Sequence, residues 1–317
     1  MKSSVVKFFG IGAVVALSAA CGGSGDDDGP TPDSSGPPPG DTTQYVMNSL
    51  ILPGNAGGPT ADDLSFDLDG ADTPNDNALG SVIALLGNFN FDLQPSVTAS
   101  INAGSVVILN ELTAEAFAGT ARWQVFLGNE TAAPPAFDGN DTLTKDPSGP
   151  SNAILDGEIT GGSFHGGPGS VSLSLALVDG QPPLNIDLVG AQLSAGVSAS
   201  GATDGILGGA ITDDDVRNEI IPAIANVMTG YMLADCTCTD PGPPSCTGET
   251  TGETLNDMFN TTADCSITPE ELLANTLVQT AIMPDVDMFD ASGAAGHDGD
   301  PDSLSLGVGF TAVGATF

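Results

Sequence analysis

Four aspartates crowd one short stretch near the start of the folded chain. In FDLDGADTPNDNALGSVIALL, residues 66–86, they are Asp67, Asp69, Asp72 and Asp76. Carboxylate oxygens at such spacing are ligands for hard cations such as calcium, and Gly70 permits the sharp bend that wraps a chain around an ion. Four neighbouring carboxylates also repel one another, and a cation relieves that repulsion. We predict a calcium-stabilised turn with a structural role; the alternative is a solvated turn in which Asp76 or Asn77 only caps the following helix.

A second acidic loop lies near the C-terminus. The segment HDGDPDSLSLG places Asp298, Asp300 and Asp302 two residues apart, after the acidic stretch DVDMFD. It shares with DGADTPNDNALG an Asp-Gly pair, a further Asp before Ser or Asn, and a closing Leu-Gly. Both loops resemble the aspartate-rich calcium loops of thrombospondin type 3 repeats. The resemblance implies that both bind calcium.

The stretch NTTADCSITPEELLANTL, residues 260–277, resembles an EF-hand. The resemblance implies ligands at positions 1, 3, 5, 9 and 12 of the loop, which are Asn260, Thr262, Asp264, Thr268 and Glu271. Position 6, which requires glycine for its positive φ, is Cys265. Thr268, Pro269 and Glu271 also form a capping box that starts the exiting helix. We interpret the segment as a vestigial EF-hand in which a disulfide at Cys265 holds the loop that calcium would hold.

The cysteines beyond the chain start indicate disulfides. Cys236, Cys238, Cys246 and Cys265 are an even set in a chain that carries an export signal. A bond between Cys236 and Cys238 would be strained, so we expect each of these two to pair with Cys246 or Cys265. A zinc thiolate site is the alternative, but the segment lacks the C-x-x-C pairs typical of such sites.

The sequence offers few residues for enzyme chemistry. FHGGPGS contains HGGPG at His165, which resembles the oxyanion-hole motif of proline iminopeptidases in the α/β-hydrolase family. Those enzymes also need a G-x-S-x-G nucleophile elbow, which this chain lacks. The second histidine, His297, lies in the terminal acidic loop. We predict a non-enzymatic protein; a hydrolase that uses two of the acidic residues stays as an alternative.

The chain start has the pattern of an export signal. MKSSVVKFFGIGAVVALSAAC has two lysines, an apolar core and small residues before Cys21. It resembles a bacterial lipoprotein signal, which implies removal of residues 1–20 and acylation of Cys21, so that acyl chains insert in the bilayer. Residues 21–43, rich in Gly, Ser, Pro and Asp, then form a disordered tether. The alternative is cleavage near Ala20 and release as a secreted or periplasmic protein.

The charge of the chain excludes one class of partner. The sequence has 41 acidic residues and five Lys or Arg, a formal net charge of −36. Two of the cations, Lys2 and Lys7, lie in the signal, which leaves Arg122, Lys145 and Arg217. Nucleic-acid binding requires clustered cations, so it is excluded. Anionic head groups would repel the chain as well, so we expect the acyl chains alone to hold it to the membrane.

The elements that must position these loops are mostly strands. Alternation of apolar with polar residues predicts strands around Val97, Ala99 and Ile101, around Trp123, Val125 and Leu127, in SVSLSLALVDG and in LNIDLVGAQLSAGVSASG. Helices are predicted in NALGSVIALLGN and from the cap Thr212 onward, with a kink or restart at Pro222. We predict a mainly β fold, an antiparallel sandwich or barrel, with a C-terminal helical segment stapled by disulfides (α+β). Residues 44–210 would form the β-rich domain and residues 211–317 the helical segment with a final strand.

These observations together predict a lipid-anchored protein of the outer membrane or cell surface. The chain resembles surface lipoproteins of Gram-negative bacteria, and we expect a structural or binding role, stabilised by calcium, towards the bilayer and an envelope or surface protein. An outer-membrane β-barrel is the alternative, because the terminal Phe317 resembles an outer-membrane assembly signal. The aromatic girdles of such barrels are missing from the sequence.

Overall fold

The chain forms a closed antiparallel β-barrel with helices at one end. The computed structural model describes residues 38, 40–54, 58–70, 76–87, 92–149, 153–175, 184–239, 242–248 and 250–317. In the order of their neighbours, the barrel strands are β1 (Asp41–Ile51), β2 (Ile108–Glu115), β3 (Ala118–Leu127), β5 (Ile154–Thr160), β6 (Ser163–Leu175), β7 (Leu184–Ser198), β8 (Gly201–Thr212) and β11 (Ser303–Thr316). The sheet closes because β11 pairs with β1 as well as with β8. A two-residue strand, β4 (Asp141–Thr142), adds to β11 in parallel.

The remaining elements are short. The helices are α1 (Ala78–Gly87), α2 (Gln94–Ala103), α3 (Asp213–Asp215), α4 (Ile221–Asp235), α5 (Thr251–Phe259), α6 (Pro269–Ala274) and α7 (Thr276–Ala281). A 3-10 turn spans Asp62–Leu64, and the strands β9 (Cys236–Thr237) and β10 (Ser245–Cys246) pair with each other. Across the described parts of the chain, no helix has both the length and the apolar character needed to cross a membrane.

Apolar side chains fill the inside of the barrel. Trp123 is fully buried at its centre, and its ring centroid lies 5.9 Å from that of Tyr45, 5.4 Å from that of Phe164 and 6.1 Å from that of Phe310. Its indole N–H donates to Oδ1 of the buried Asn110, at 2.9 Å. Aromatic rings in such tilted and edge contacts contribute more than their buried area alone. The interior is therefore a packed core.

The outward faces of the strands carry polar side chains. Arg122 and Gln124 flank Trp123 on β3 and are less buried than it is. Arg122 forms an ion pair with Asp156 on β5, with 2.6 Å between Nε and Oδ1, and Glu158 on the same strand is exposed. Apolar residues inside and polar residues outside give these strands their period-two pattern.

One patch of the outer wall is apolar and covered. Val46, Leu109 and Ala315 point away from the interior and pack with Leu143, which belongs to the loop that carries β4. Because that loop covers the patch, these outward apolar residues are buried.

Three chain segments leave the barrel at the same end. The last residue of β1, Ile51, pairs with Gly309, and the last residue of β8, Thr212, pairs with Ser303 at the start of β11. Antiparallel pairing therefore places the segment after β1, the segment after β8 and the loop before β11 side by side. The helices and both acidic loops belong to these segments.

Asn77 joins these segments through a buried side chain. Its Nδ2 donates to the carbonyls of Ala61, Leu64 and Gly307 at 3.0–3.1 Å, and its Oδ1 accepts from the N–H of Gly80 at 3.0 Å and of Gly307 at 2.8 Å. The Gly80 bond caps α1. Since β1 has already ended at this level, Asn77 bonds the two backbone groups of Gly307 in place of a continued β1.

Residues 94–103 are helical, so the strand predicted around Val97 and Ile101 is wrong. These two residues are four apart, and both lie buried on one face of α2. Alternation over five residues fits a strand and a helix equally well, and the flanks decide between them. Pro95 stands in the first turn of α2, and Gly104 ends it with a left-handed φ of +76°.

The fold class is confirmed: the chain is mainly β, antiparallel and barrel-like, with a helical segment towards the C-terminus. The predicted cap is confirmed too, because Thr212 Oγ1 accepts the N–H of Asp215. The predicted restart at Pro222 follows a π-helical turn, Val216–Ile220, in which the N–H of Ile221 reaches the carbonyl five residues back. The final strand β11 lies between β8 and β1, so it shares one sheet with the strands of residues 44–210.

We expect Asn77→Ala to lower the free energy of unfolding by about 3 kcal/mol, because it removes a helix cap and leaves buried carbonyls without donors. Chemical denaturation followed by Trp123 fluorescence measures the loss. Asn102→Ala, on the exposed face of α2, is the control and should change the free energy by less than about 0.5 kcal/mol. Equal stability of the two variants would refute the role assigned to Asn77.

Candidate functional site

The first acidic loop brings together three of its four predicted calcium ligands. Asp67, Asp69 and Asp76 each offer a carboxylate oxygen, and these oxygens lie within 4.8 Å of one another. Asp72 lies outside the described residues. Within the described residues, no other set of three or more His, Cys, Asp or Glu side chains comes this close.

Backbone hydrogen bonds shape this loop. The N–H of Asp76 donates to the carbonyl of Phe66 at 2.8 Å, and Asp76 Oδ2 accepts the N–H of Leu68 at 2.7 Å. Asp67 Oδ1 accepts the N–H of Gly70 at 2.7 Å, and Gly70 has a φ of +72°. The positive φ explains the glycine at the bend. Asp76 is 6% exposed, so one of the three carboxylates is buried.

Charge is concentrated at this point. Burial raises the pKa of Asp76 above its ordinary value, and the negative charges of Asp69, Asp285 and Asp67 act in the same direction. Burial also raises the pKa of Asp285, and the charge of Asp69 adds to this, although hydrogen bonds from Ser305 oppose it. The ionised carboxylates are therefore costly in the folded state, and a bound cation would lower that cost.

The loop before β11 lies against the first acidic loop through residues that the sequence analysis did not select. The N–H of Asp287 donates to Asp69 Oδ2 at 3.2 Å. Asp287 is 7% exposed; its Oδ2 accepts the N–H of Gly299 at 2.6 Å, and its buried Oδ1 has no hydrogen-bond partner among the described residues. The fully buried Val286 bridges to Ser303. The alternation in DVDMFD, which is typical of an extended segment, was the available signal.

Two of the three predicted ligands of the second acidic loop, Asp298 and Asp302, accept hydrogen bonds from backbone N–H groups. Asp302 accepts the N–H groups of Met288 and Phe289 through its two oxygens, at 3.2 and 2.8 Å. Asp298 Oδ1 accepts the N–H of Asp300 at 3.1 Å, and both of these residues are exposed. The structure does not bring the three into the group at Asp76.

In the EF-hand-like segment, N–H and hydroxyl groups of the loop donate to the carboxylate of Glu271. Glu271 Oε1 accepts from the N–H of Thr262 at 2.8 Å and from the hydroxyls of Thr261 and Thr262 at 3.0 Å. Oε2 accepts from the N–H and the hydroxyl of Thr268, at 2.9 and 3.2 Å. Burial by itself would raise the pKa of Glu271, but the hydrogen bonds from Thr268, Thr262 and Thr261 together outweigh it and lower the pKa to about 2.

The other predicted ligands of this loop bind one another. Asn260 Oδ1 accepts the N–H of Asp264 at 3.3 Å, and Asp264 Oδ1 accepts the N–H of Ser266 at 2.9 Å. The capping box at Thr268 and Glu271 is confirmed. Calcium binding at this loop stays a prediction. In the structure, N–H and hydroxyl groups of the loop itself donate to the carboxylates of Asp264 and Glu271.

Two disulfides staple the helical segment, as predicted. Cys236 bonds to Cys246 across the β9–β10 pair, and Cys238 bonds to Cys265 in the EF-hand-like loop. Because all four sulfurs are in disulfides, they are not thiolate ligands for zinc. Cys21, the predicted lipidation site, lies outside the described residues.

An apolar cavity of about 460 Å³ lies among the helices. Its walls are side chains of α1, of the π-turn and α4, of α5, and of α6 to α7 with the residue that follows. The lining residues are Leu79, Ser81, Val82, Leu85, Val216, Ile220, Ile221, Ile224, Met228, Thr251, Thr254, Leu255, Met258, Phe259, Leu272, Leu277, Val278, Thr280, Ala281 and Ile282. None of these residues is ionisable, and the polar ones are a serine and three threonines.

Leu85 of α1 and Leu277 of α7 mark the mouth of the cavity. Both line it, yet they are 56% and 62% exposed. The inner wall is buried and includes Ile221, Leu255 and Leu272. The sequence predicts the helix from Thr212 onward but not a cavity, because a cavity depends on how four short segments pack. Apolar residues on every one of these segments were the available signal.

The HGGPG motif lies in a strand. His165 is exposed on β6, where it pairs with Glu158 on β5 and Ser194 on β7. His297 contacts the carbonyl of Asp287 through Nδ1, at 2.5 Å. Neither histidine lines the cavity.

The chain matches no protein-family model, no curated protein and no solved structure. The geometry of its own residues is therefore the basis for the function that we propose.

We expect Glu271→Gln to lower the free energy of unfolding by about 2 kcal/mol near neutral pH, because it weakens five hydrogen bonds to an ionised acceptor. The pKa of Glu271 falls from an ordinary 4.5 to about 2, so its contribution is complete above 4.5 and disappears as the pH falls towards 2. Denaturant unfolding at several pH values should show the difference from the original chain shrink over that range.

Glu270→Gln is the matched control, since Glu270 is exposed in the same turn. It should change stability by less than about 0.5 kcal/mol at every pH. A Glu271→Gln loss that stays constant down to pH 2 would contradict the assignment.

Proposed function

We propose that the protein is a non-enzymatic binding protein of the cell envelope, anchored in the bilayer through acylated Cys21, and that it binds an apolar molecule in the cavity between its helices. The observation that carries this proposal is the cavity itself. Its volume of about 460 Å³ lies within the range of about 300–1,000 Å³ that is usual for small-molecule sites. A cavity of that size with apolar walls holds water poorly, which favours an apolar occupant.

The lining supports binding over catalysis. General acid–base and nucleophilic catalysis need an ionisable or activated group beside the substrate. The lining provides only hydroxyls as polar groups: those of Ser81, Thr251, Thr254 and Thr280. Neither the acidic group at Asp76 nor the histidines belong to it.

The polar side chains on the outer faces of the strands favour a barrel that is surrounded by water. A membrane-spanning barrel places apolar residues outside, whereas this one places Trp123 inside and Arg122 and Asp156 outside. The terminal Phe317 packs on the outer wall, with its ring 6.3 Å from that of Phe126 and its backbone bonded to Gln44. These contacts favour an anchored globular domain over an outer-membrane barrel. The proposed location is the outer membrane or cell surface.

We further propose that calcium stabilises the acidic loops at the cavity end of the barrel. The group of Asp67, Asp69 and Asp76 supports this, because a buried carboxylate lies among like charges with a raised pKa. Asp285 belongs to the loop before β11, and its pKa is raised in part by Asp69. A cation at this point would connect the segment after β1 to the segment before β11.

The cavity proposal predicts one-to-one binding of the uncharged fluorescent probe N-phenyl-1-naphthylamine by the purified full-length protein. Ile224→Phe places a larger side chain in the cavity and should weaken binding at least ten-fold. Leu233→Phe is the matched control, because Leu233 lies on the same helix, is 48% exposed and is not part of the lining. Equal binding by both variants would show that the probe binds elsewhere and would refute the proposal.

The calcium proposal predicts that the melting temperature, followed by Trp123 fluorescence, is higher in calcium than in chelator. Asp76→Asn should remove most of that difference, and Asp62→Asn, an exposed acid outside the group, should not. In chelator, the raised pKa of Asp76 changes stability with pH in the opposite direction from the lowered pKa of Glu271. The original chain should gain stability as the pH falls through the folded pKa of Asp76 towards its ordinary value, and Asp76→Asn should lack this gain. An equal calcium response in all three proteins would remove calcium from this site.

A further inference from the structure

The charges around the cavity restrict the kind of apolar molecule that it can bind. An anionic amphiphile, such as a fatty acid, needs a cation for its head group, because burying an unpaired charge is costly. The lining offers no cation. The nearest one along the chain is Arg217, next to the lining residue Val216, and its Nε is 2.6 Å from Asp213 Oδ2.

The other cations of the described residues are also paired with acids. Arg122 contacts Asp156 at 2.6 Å, and Lys145 contacts Glu111 at 3.0 Å. Lys145 is further held over the ring of Phe126, with Nζ 3.4 Å from the ring centroid. Recruiting any of these cations to a ligand would leave a carboxylate without its partner.

Acidic side chains alternate with the lining residues of α5. Glu253 precedes Thr254, and Asp257 precedes Met258. With a formal net charge of −36 over the whole chain, an anionic head group at the mouth would meet repulsion from the net charge of the protein. An uncharged head group avoids this repulsion.

The lining also indicates the shape of the ligand. Phe259 is the one aromatic residue of the lining, and the other apolar residues are aliphatic side chains of Ala, Val, Leu, Ile and Met. Aromatic ligands gain from stacking surfaces, which this wall offers sparsely, whereas flexible aliphatic walls adapt to a hydrocarbon chain. The exposed hydroxyls of Thr254 and Thr280 donate to the carbonyls of Thr250 and Thr276, at 3.1 and 2.9 Å, and their oxygens can accept a hydrogen bond from an uncharged polar end that carries a donor.

We infer that the cavity binds an uncharged molecule with an aliphatic chain, of the class of a long-chain alcohol, and discriminates against the corresponding carboxylate. This inference rests on the proposed function, because it specifies the ligand of the same cavity. Charge complementarity, more than the apolar area, sets the selectivity.

Displacement of N-phenyl-1-naphthylamine from the full-length protein at pH 8 tests the inference. 1-Decanol should displace the probe at a concentration at least ten-fold lower than decanoate, which has the same chain length and a negative charge. Thr280→Lys should strengthen decanoate binding relative to 1-decanol binding at least ten-fold, because it adds a cation to the lining. Thr280→Gln, which removes the same hydroxyl without adding a charge, is the control and should leave the ratio of the two affinities unchanged.

The outcomes separate the two proposals. If the probe does not bind in the cavity, the proposed function fails and this inference fails with it. If the probe binds and decanoate displaces it as well as 1-decanol does, or if neither displaces it, the inference fails while the binding cavity stands. If Thr280→Lys gains no decanoate affinity, the lack of a cation is not the cause of the selectivity, and the inference is overturned on that point.

Discussion

The pairing of β11 with both β1 and β8 is the constraint on which the rest of the structure depends. It joins the last strand of the chain to the first and removes both edges of the sheet. It also sets the places of the long connections. Because β1 and β8 end where β11 begins, the helical layer and both acidic loops meet at one end of the barrel. Asn77 extends this closure beyond the end of β1 by bonding both backbone groups of Gly307.

The chain must also keep many carboxylates folded together with few cations. The described cations serve three ion pairs. Many other acids are held by N–H and hydroxyl donors, as at Glu271, which accepts five hydrogen bonds, and at Asp302. Charge-assisted hydrogen bonds of this kind stabilise the ionised form without a counter-ion. Asp76 and Asp285 differ from Glu271 because their burial and neighbouring charges outweigh their donors and raise their pKa values.

The EF-hand-like segment illustrates how the same sequence pattern can serve another purpose. Its two helices, its capping box and its loop are all present. In the structure, hydroxyls of Thr261, Thr262 and Thr268 and the disulfide at Cys265 hold the loop. The threonines that reduce the charge available to an ion are also the donors that bind Glu271. The exit helix then contributes Leu272 to the wall of the cavity, so the stapled loop supports that wall.

Local signals in the sequence determined much of this protein. Alternating residues around Trp123 indicate a half-buried strand, Thr212 and Thr268 indicate helix starts, and the spacing of the cysteines excludes a bond between Cys236 and Cys238. These features depend on neighbours a few residues apart, whose contacts follow from the geometry of strands, helix caps and disulfides. The mainly β class with a C-terminal helical segment follows from their sum.

Tertiary structure alone decided the features that depend on distant residues. The helix at Val97 and Ile101 could not be separated from a strand, since a short alternating run fits both periods. The contact of Asp69 with Asp287 and the bonds of Asn77 to Gly307 join residues more than two hundred positions apart. The cavity likewise exists only where separate helices pack with space between them. The physical reason is that the closure of the barrel sets which distant segments meet, and no local pattern encodes that closure.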